Sequence, residues 1–403
     1  AVLDSGAHGP PAPAPEPEPM PAVPAAPETH PHGGATVSQV TLNSEYGLLA
    51  SGGWDRCLRL WRMPGADGAW RNVCELRGHQ GVILGLTWAN ASDVPAGDPR
   101  HGTYLISCSN DGRVICWRIA AQPVGVRTDP YAEVSGEPLW SWKGQDAGAQ
   151  VSSITAAKTL DGRWLLSAVK QNGLVMLWDK DVWSKPEAAE GAPENNESGG
   201  HAPLRAPDCR VKTPFFLGVR QAALHPSGDS ILVAGNDKMF KGWVLSLPVL
   251  RPDDDAAAAA GGGSFRIADD TPLMMEGRHE GGVRCLAVSG CGRYCASGAF
   301  GSRRNVLLHD VKTGALEQAL VGHDAGVAAM AMQGQFLVTA GDDGTLRIWR
   351  WALGRCLKTL RESPLRLKSV AFDVNPSAVR IVGATEKTKQ DAGRLLLWGE
   401  DSY

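Results

Sequence analysis

The chain has 403 residues, 21% of them charged, and a formal net charge of −3. That balance is ordinary for a globular protein and excludes a general polyanion-binding charge. No apolar run reaches the roughly 18 residues needed to cross a bilayer, so membrane insertion is not expected.

The nine cysteines are odd in number and scattered, and no C-x-x-C pair occurs. This points to a reducing compartment, cytoplasmic or nuclear, with thiols serving as small core residues. Cys285, Cys291 and Cys295 come nearest to a metal cluster but lack a fourth ligand, so no metal or cofactor is expected. The first residue is Ala, so a fragment or a processed chain is expected, and an organellar or ciliary address ahead of it stays open.

Residues 1–34 are dominated by Pro, Ala and Glu and are expected to be a disordered arm, either a linker or a docking peptide. Repeats fill 35–403. The first, VSQVTLNSEYGLLASGGWDRCLRLW, holds three alternating apolar runs separated by turn residues, which read as short antiparallel strands. It carries Ser51, Asp55 and Trp61 at fixed places, with His32 upstream but out of step. The second has His79, Ser107, Asp111 and Trp117. The third keeps Ser167 and Trp178, with Gln145 near the His place and Gln171 at the Asp place. The fourth keeps Asp237 and Trp243, with Val233 where a hydroxyl is expected. The fifth has His279 and Ser297, but Gly301 and His309 stand for Asp and Trp. The sixth, GHDAGVAAMAMQGQFLVTAGDDGTLRIW, is complete with His323, Thr339, Asp343 and Trp349, and the seventh retains Trp398.

In the complete units the four polar residues can satisfy one another. The His donates one ring N–H to the Asp and accepts from the hydroxyl, which accepts from the indole N–H. Here the chain resembles the WD-repeat family. The resemblance implies an all-β, seven-bladed β-propeller of four-stranded antiparallel blades around a central channel. Long irregular pieces, including low-complexity insertions at 184–206 and 252–264, are expected on one face or its rim, leaving the other accessible. The last unit has room for three strands; either Ala1–Asp4 supplies its outer strand or an edge stays unpaired.

No phosphate loop, H-E-x-x-H or G-x-S-x-G motif is present, so the chain is read as non-enzymatic, without a small-molecule substrate. In this family the residue before the tetrad Asp faces out. Here those places read Trp54, Asn110, Lys170, Asn236, Phe300 and Asp342, with Arg303 and Arg304 beside Phe300. The expected function is a scaffold binding other proteins of a multi-subunit assembly. One alternative is a substrate receptor of a cullin-type ubiquitin ligase, although Trp178-Asp179 is followed by Lys180-Asp181 and not by the Arg such receptors carry. The other is a ribonucleoprotein subunit contacting RNA through a basic run from Arg347 to Lys368, which is less favoured at this net charge.

Overall fold

Alternating apolar residues and tight Gly/Asp turns build a succession of antiparallel hairpins. The structure, a computed structural model, describes residues 31–62, 71–90, 102–121, 133–143, 150–158, 164–178, 206–212, 218–228, 230–235, 279–301, 306–361, 365–375 and 378–401.

The first sheet pairs β1 (Val37–Asn43), β2 (Leu48–Gly53), β3 (Leu58–Arg62) and β4 (Arg71–Leu76) in that order. The second pairs β5 (Ile83–Asn90), β6 (Thr103–Ser109), β7 (Arg113–Ala120) and β8 (Ser135–Lys143). The third pairs β9 (Val151–Lys158), β10 (Trp164–Lys170), β11 (Leu174–Trp178) and β12 (Cys209–Lys212). A two-stranded sheet of β13 (Val219–Leu224) and β14 (Ile231–Gly235) follows. Next come β15 (Val283–Val288), β16 (Tyr294–Ala299), β17 (Val306–Asp310) and β18 (Leu316–Leu320). The sixth sheet is β19 (Val327–Gln333), β20 (Phe336–Gly341), β21 (Leu346–Arg350) and β22 (Arg355–Leu360). The last is three-stranded, β23 (Leu367–Asn375), β24 (Ala378–Thr385) and β25 (Leu395–Asp401).

The protein is therefore an all-β propeller of antiparallel blades. The expectation of seven four-stranded blades is corrected: six sheets have three or four strands, and β13–β14 is a hairpin of two. Asp237 and Trp243, the tetrad members expected for the fourth unit, lie outside the described residues. Residues 1–30 of the arm expected at 1–34, both low-complexity insertions (apart from Ala206) and Ala1–Asp4 as an outer strand lie outside them too. Among the described residues no helix is long and apolar enough to cross a membrane.

What joins the sheets is apolar burial between neighbours. Tyr46, Leu48 and Leu60 of the first unit share a core with Leu105 and Trp117 of the second. Val37, Val40 and Trp61 share another with Ala371, Val382 and Ala384 of the last. A sheet of this kind cannot cover both its faces alone, so each depends on the next, and the first meets the last.

A polar bond recurs at these seams. The backbone N–H of Ala222 donates to Ser153 Oγ at 3.4 Å, and that of Leu286 to Gln221 Oε1 at 2.8 Å. The N–H of Val40 donates to Ser369 Oγ at 3.2 Å, so the seam between last and first sheets is made like the internal ones.

Candidate interaction face and channel mouth

Three units hold a complete polar chain. In the second, Trp117 Nε1–H donates to Ser107 Oγ at 2.9 Å, His79 Nε2 lies 2.8 Å from that hydroxyl, and Nδ1 lies 3.3 Å from Asp111 Oδ2. In the sixth the corresponding distances are 2.8 Å from Trp349 to Thr339, 2.7 Å from Thr339 to His323 and 2.9 Å from His323 to Asp343. The first unit is complete as well, with His32 in place: 2.8 Å from Trp61 to Ser51, 2.9 Å from Ser51 to His32 and 2.7 Å from His32 to Asp55. His32 is thus packed inside the sheet rather than in the arm. It precedes its strand by one residue more than His79 or His323 does, and the left-handed Gly33 (φ 58°) and Gly34 (φ 80°) absorb the extra residue.

The carboxylates also tie down the turns. Asp111 accepts backbone N–H groups from Gln80 at 2.7 Å and Arg113 at 2.8 Å, and Asp343 accepts those of Asp324 at 3.0 Å and Thr345 at 2.9 Å. Burial works to raise the Asp55 and Asp111 carboxyls. Hydrogen bonds from His32 and Arg59 to the one, and from His79 to the other, outweigh it and hold both at about 2. The same balance around His323 and Thr345 holds Asp343 well below the usual carboxylate range.

Among the described residues strand register locates the outward turn place in six units, because there its N–H donates to the residue just ahead of the first strand. Trp54 donates to Thr36 O at 3.0 Å, Asn110 to Val82 O at 3.0 Å, Phe300 to Gly282 O at 3.1 Å and Asp342 to Gly326 O at 2.8 Å. In the third unit the donor is Gln171, to Gln150 O at 3.0 Å, and in the last it is Glu386, to Arg366 O at 3.0 Å.

Three expectations are corrected by this register. Lys170 is not an outward residue: it ends β10 opposite Val151, as Gly53 ends β2 opposite Val37, and is 1% exposed. Its ammonium lies 5.2 Å from the centre of the Trp142 ring. Asn172, not Gln171, takes the Asp place, and its Oδ1 accepts the Leu174 N–H at 3.1 Å. Ala168, not Ser167, takes the hydroxyl place, since Ala168 pairs with Ile154 as Ser107 pairs with Leu86. Ser167 Oγ and Trp178 Nε1 accordingly make no hydrogen bond, and the Trp178 ring packs on Trp140 at 5.9 Å and Trp142 at 6.0 Å.

On the turn face, Trp54 is 57% exposed and Phe300 42% exposed. The Arg284 guanidinium lies 4.5 Å from the Phe300 ring centre and pairs with Asp342 at 2.5 Å. Asn236, Arg303 and Arg304 lie outside the described residues. The basic run from Arg347 to Lys368 does not share one surface: Arg355 is exposed on the outermost strand β22, whereas Lys368 lines the channel.

The first strands β1, β5, β9, β13, β15, β19 and β23 pack on one another in a ring. Each is irregular at its second residue, where an extra residue bulges from the ladder. The residues at that place are Ser38, Leu84, Ser152, Arg220, Arg284, Ala328 and Lys368, and none is acidic. All seven strands contribute to a cavity of about 260 Å³ at the ring's centre. Nothing in the sequence alone signalled this place, because a one-residue bulge leaves no mark until the strands are paired.

Cys285 and Cys295 are buried, and burial pushes each thiol up to about 12, the state of inert core thiols. Among the described residues no group of His, Cys, Asp or Glu is placed to hold a metal ion.

A family model described as WD domain, G-beta repeat matches residues 27–62, 70–118, 271–310 and 314–350. These stretches contain His32, His79, His279 and His323, each within 2.9 Å of a hydroxyl. The chain is 25% identical over 354 residues to Nuclear distribution protein PAC1 of Arthroderma otae, covering 85% of this chain and 65% of that protein. It is 29% identical over 194 residues to Probable cytosolic iron-sulfur protein assembly protein 1 of Pyricularia oryzae, covering 48% of this chain and 39% of that protein. Protein SEC13 homolog of Rattus norvegicus is 35% identical over 69 residues, 17% of this chain and 19% of that protein. The chain thus spans less than two thirds of the length of the first two relatives.

Proposed function

The chain is a WD-repeat β-propeller protein, and on that premise we propose that it works as a non-enzymatic scaffold, binding other proteins through the face that carries the tetrad turns. The observation that carries this reading is the exposure of Trp54 and Phe300 at equivalent turn places, Trp54 beside the Asp55 carboxylate that holds its turn and Phe300 against the Arg284 guanidinium. Large aromatics on a rigid base are the composition of a binding hot spot, because little freedom is lost when a partner covers them. The relatives carry names from unrelated processes, which supports a reading at the level of a scaffold rather than of one pathway. In this reading the hairpin β13–β14 is the inner half of a seventh blade, since β13 packs between β9 and β15 as the other first strands do between their neighbours.

Affinity purification tests the reading, comparing the tagged wild type with a Trp54→Ala, Phe300→Ala double variant. Loss of captured proteins is expected in the double variant. Capture that is unchanged, with an unchanged melting profile, would remove this face as the binding surface.

A further inference from the structure

The ring of bulge residues is uneven in charge. Arg220, Arg284 and Lys368 bring three cations to the channel, and no acidic residue lines the cavity among the described residues. Arg284 is held by Asp342 at 2.5 Å and Lys368 by Glu386 at 3.0 Å, both from the turn face rather than from within. A guanidinium has five N–H donors and an ammonium three, so one carboxylate does not exhaust either group.

The neutral lining is donor-rich as well. The Oε1 of Gln221 accepts the Leu286 N–H at 2.8 Å, and the Oε1 of Gln39 accepts the Ser369 hydroxyl at 3.3 Å. Each amide oxygen is thus turned to a donor of the protein, and each glutamine also carries an NH₂ with two N–H donors. Burial, and then the charge of Arg284, pull the Arg220 guanidinium below its usual range, as expected where like charges share a confined space.

We propose that the turn end of the channel binds an oxyanion carried on an extended peptide, a carboxylate or a phosphate held by Arg220, Arg284 and Lys368 with the amide N–H groups of Gln39 and Gln221. The cavity of about 260 Å³ falls below the ~300–1,000 Å³ of sites that enclose whole small molecules and suits the end of a side chain. The rest of the peptide lies over the turn face, where Phe300 stacks on the same Arg284 that lines the mouth. This deepens the scaffold reading and rests on it.

Binding is measured by fluorescence anisotropy on the full chain, with labelled Gly/Ser peptides carrying paired glutamates, a phosphoserine, or no charge. At least one charged peptide is expected to bind above the uncharged one, with an affinity that falls as salt rises. Arg220→Glu is expected to weaken it about tenfold or more. Lys368→Gln gives an independent loss should the first variant melt early, and Arg355→Ala on the outer strand leaves binding unchanged. Glutamate and phosphoserine peptides separate the two sources of the oxyanion. Binding of neither, equal binding by wild type and a folded Arg220→Glu variant, or protection by inorganic phosphate alone overturns the proposal. If the charged peptides fail while Trp54 and Phe300 still govern capture of proteins, the channel site falls and the scaffold stands.

Discussion

Ser369 accepts the Val40 N–H at 3.2 Å across the seam between the last and first sheets, and Ser153 accepts the Ala222 N–H at 3.4 Å across an internal one. The two seams are chemically equivalent, although one joins residues 329 apart in sequence and the other 69. Ser369→Ala and Ser153→Ala should each lower stability by about 1 kcal/mol, the usual net worth of one such bond. Urea unfolding checks this. A measurable loss in Ser153→Ala with none in Ser369→Ala would mean that the ring is open at that seam in solution.

The tetrad hydroxyl of Thr339 sits between the Trp349 indole N–H and His323 Nε2. Thr339→Val should strand both the Trp349 indole N–H and the His323 Nε2, at roughly 2–4 kcal/mol for two buried groups left unpaired. Ser167→Ala, at the superficially similar place in the third unit, should change stability by less than about 0.5 kcal/mol, because its hydroxyl has no partner. Thermal unfolding of the two variants side by side decides it; comparable losses would restore Ser167 to the network.

These two residues also show how much was readable beforehand. The second and sixth units were legible because all four polar residues are present in both, with the hydroxyl, Asp and Trp at the same spacing. In the third unit Ser167 and Gln171 are each one place away from the pattern, and side chains of acceptable chemistry stood next to the true places at Ala168 and Asn172. Strand alternation turns such a slip into the opposite face, so only the pairing with β9 could expose it. His32 read as out of step for the converse reason, since an added residue before β1 broke the spacing while a glycine turn restored the geometry.

Gly341 and Ser109 occupy one place in their units, the strand end beside the His and Asp side chains. With glycine there, His323 Nδ1 and Asp343 stand 2.9 Å apart; with serine, His79 Nδ1 and Asp111 stand 3.3 Å apart. A Cβ added at Gly341 would meet both Asp343 Oδ1 and His323 Nδ1. Gly341→Ala is expected to cost about 1–3 kcal/mol through this overpacking. Ser109→Ala, which adds no atom to the cleft, should cost less than Gly341→Ala, and denaturant midpoints for the two variants test the order.

The tetrad carboxylates set an acid limit. Asp55 and Asp111 are held at about 2, below the 3.8 of an ordinary aspartate, so the folded state binds fewer protons than the unfolded one at pH 2–4. A carboxyl depressed by folding contributes stability that is fully present above about pH 4 and is lost as pH falls toward about 2. The unfolding temperature should therefore be nearly flat from neutral pH down to about 4 in respect of these groups, and should fall steeply below it. Asp111→Asn keeps a carbonyl for the Gln80 and Arg113 N–H groups but carries no proton-linked charge. The variant should be less stable at neutral pH and lose less on acidification, so its stability curve converges on that of the wild type near pH 2. Parallel curves for wild type and variant across that window would show that the acid sensitivity resides elsewhere.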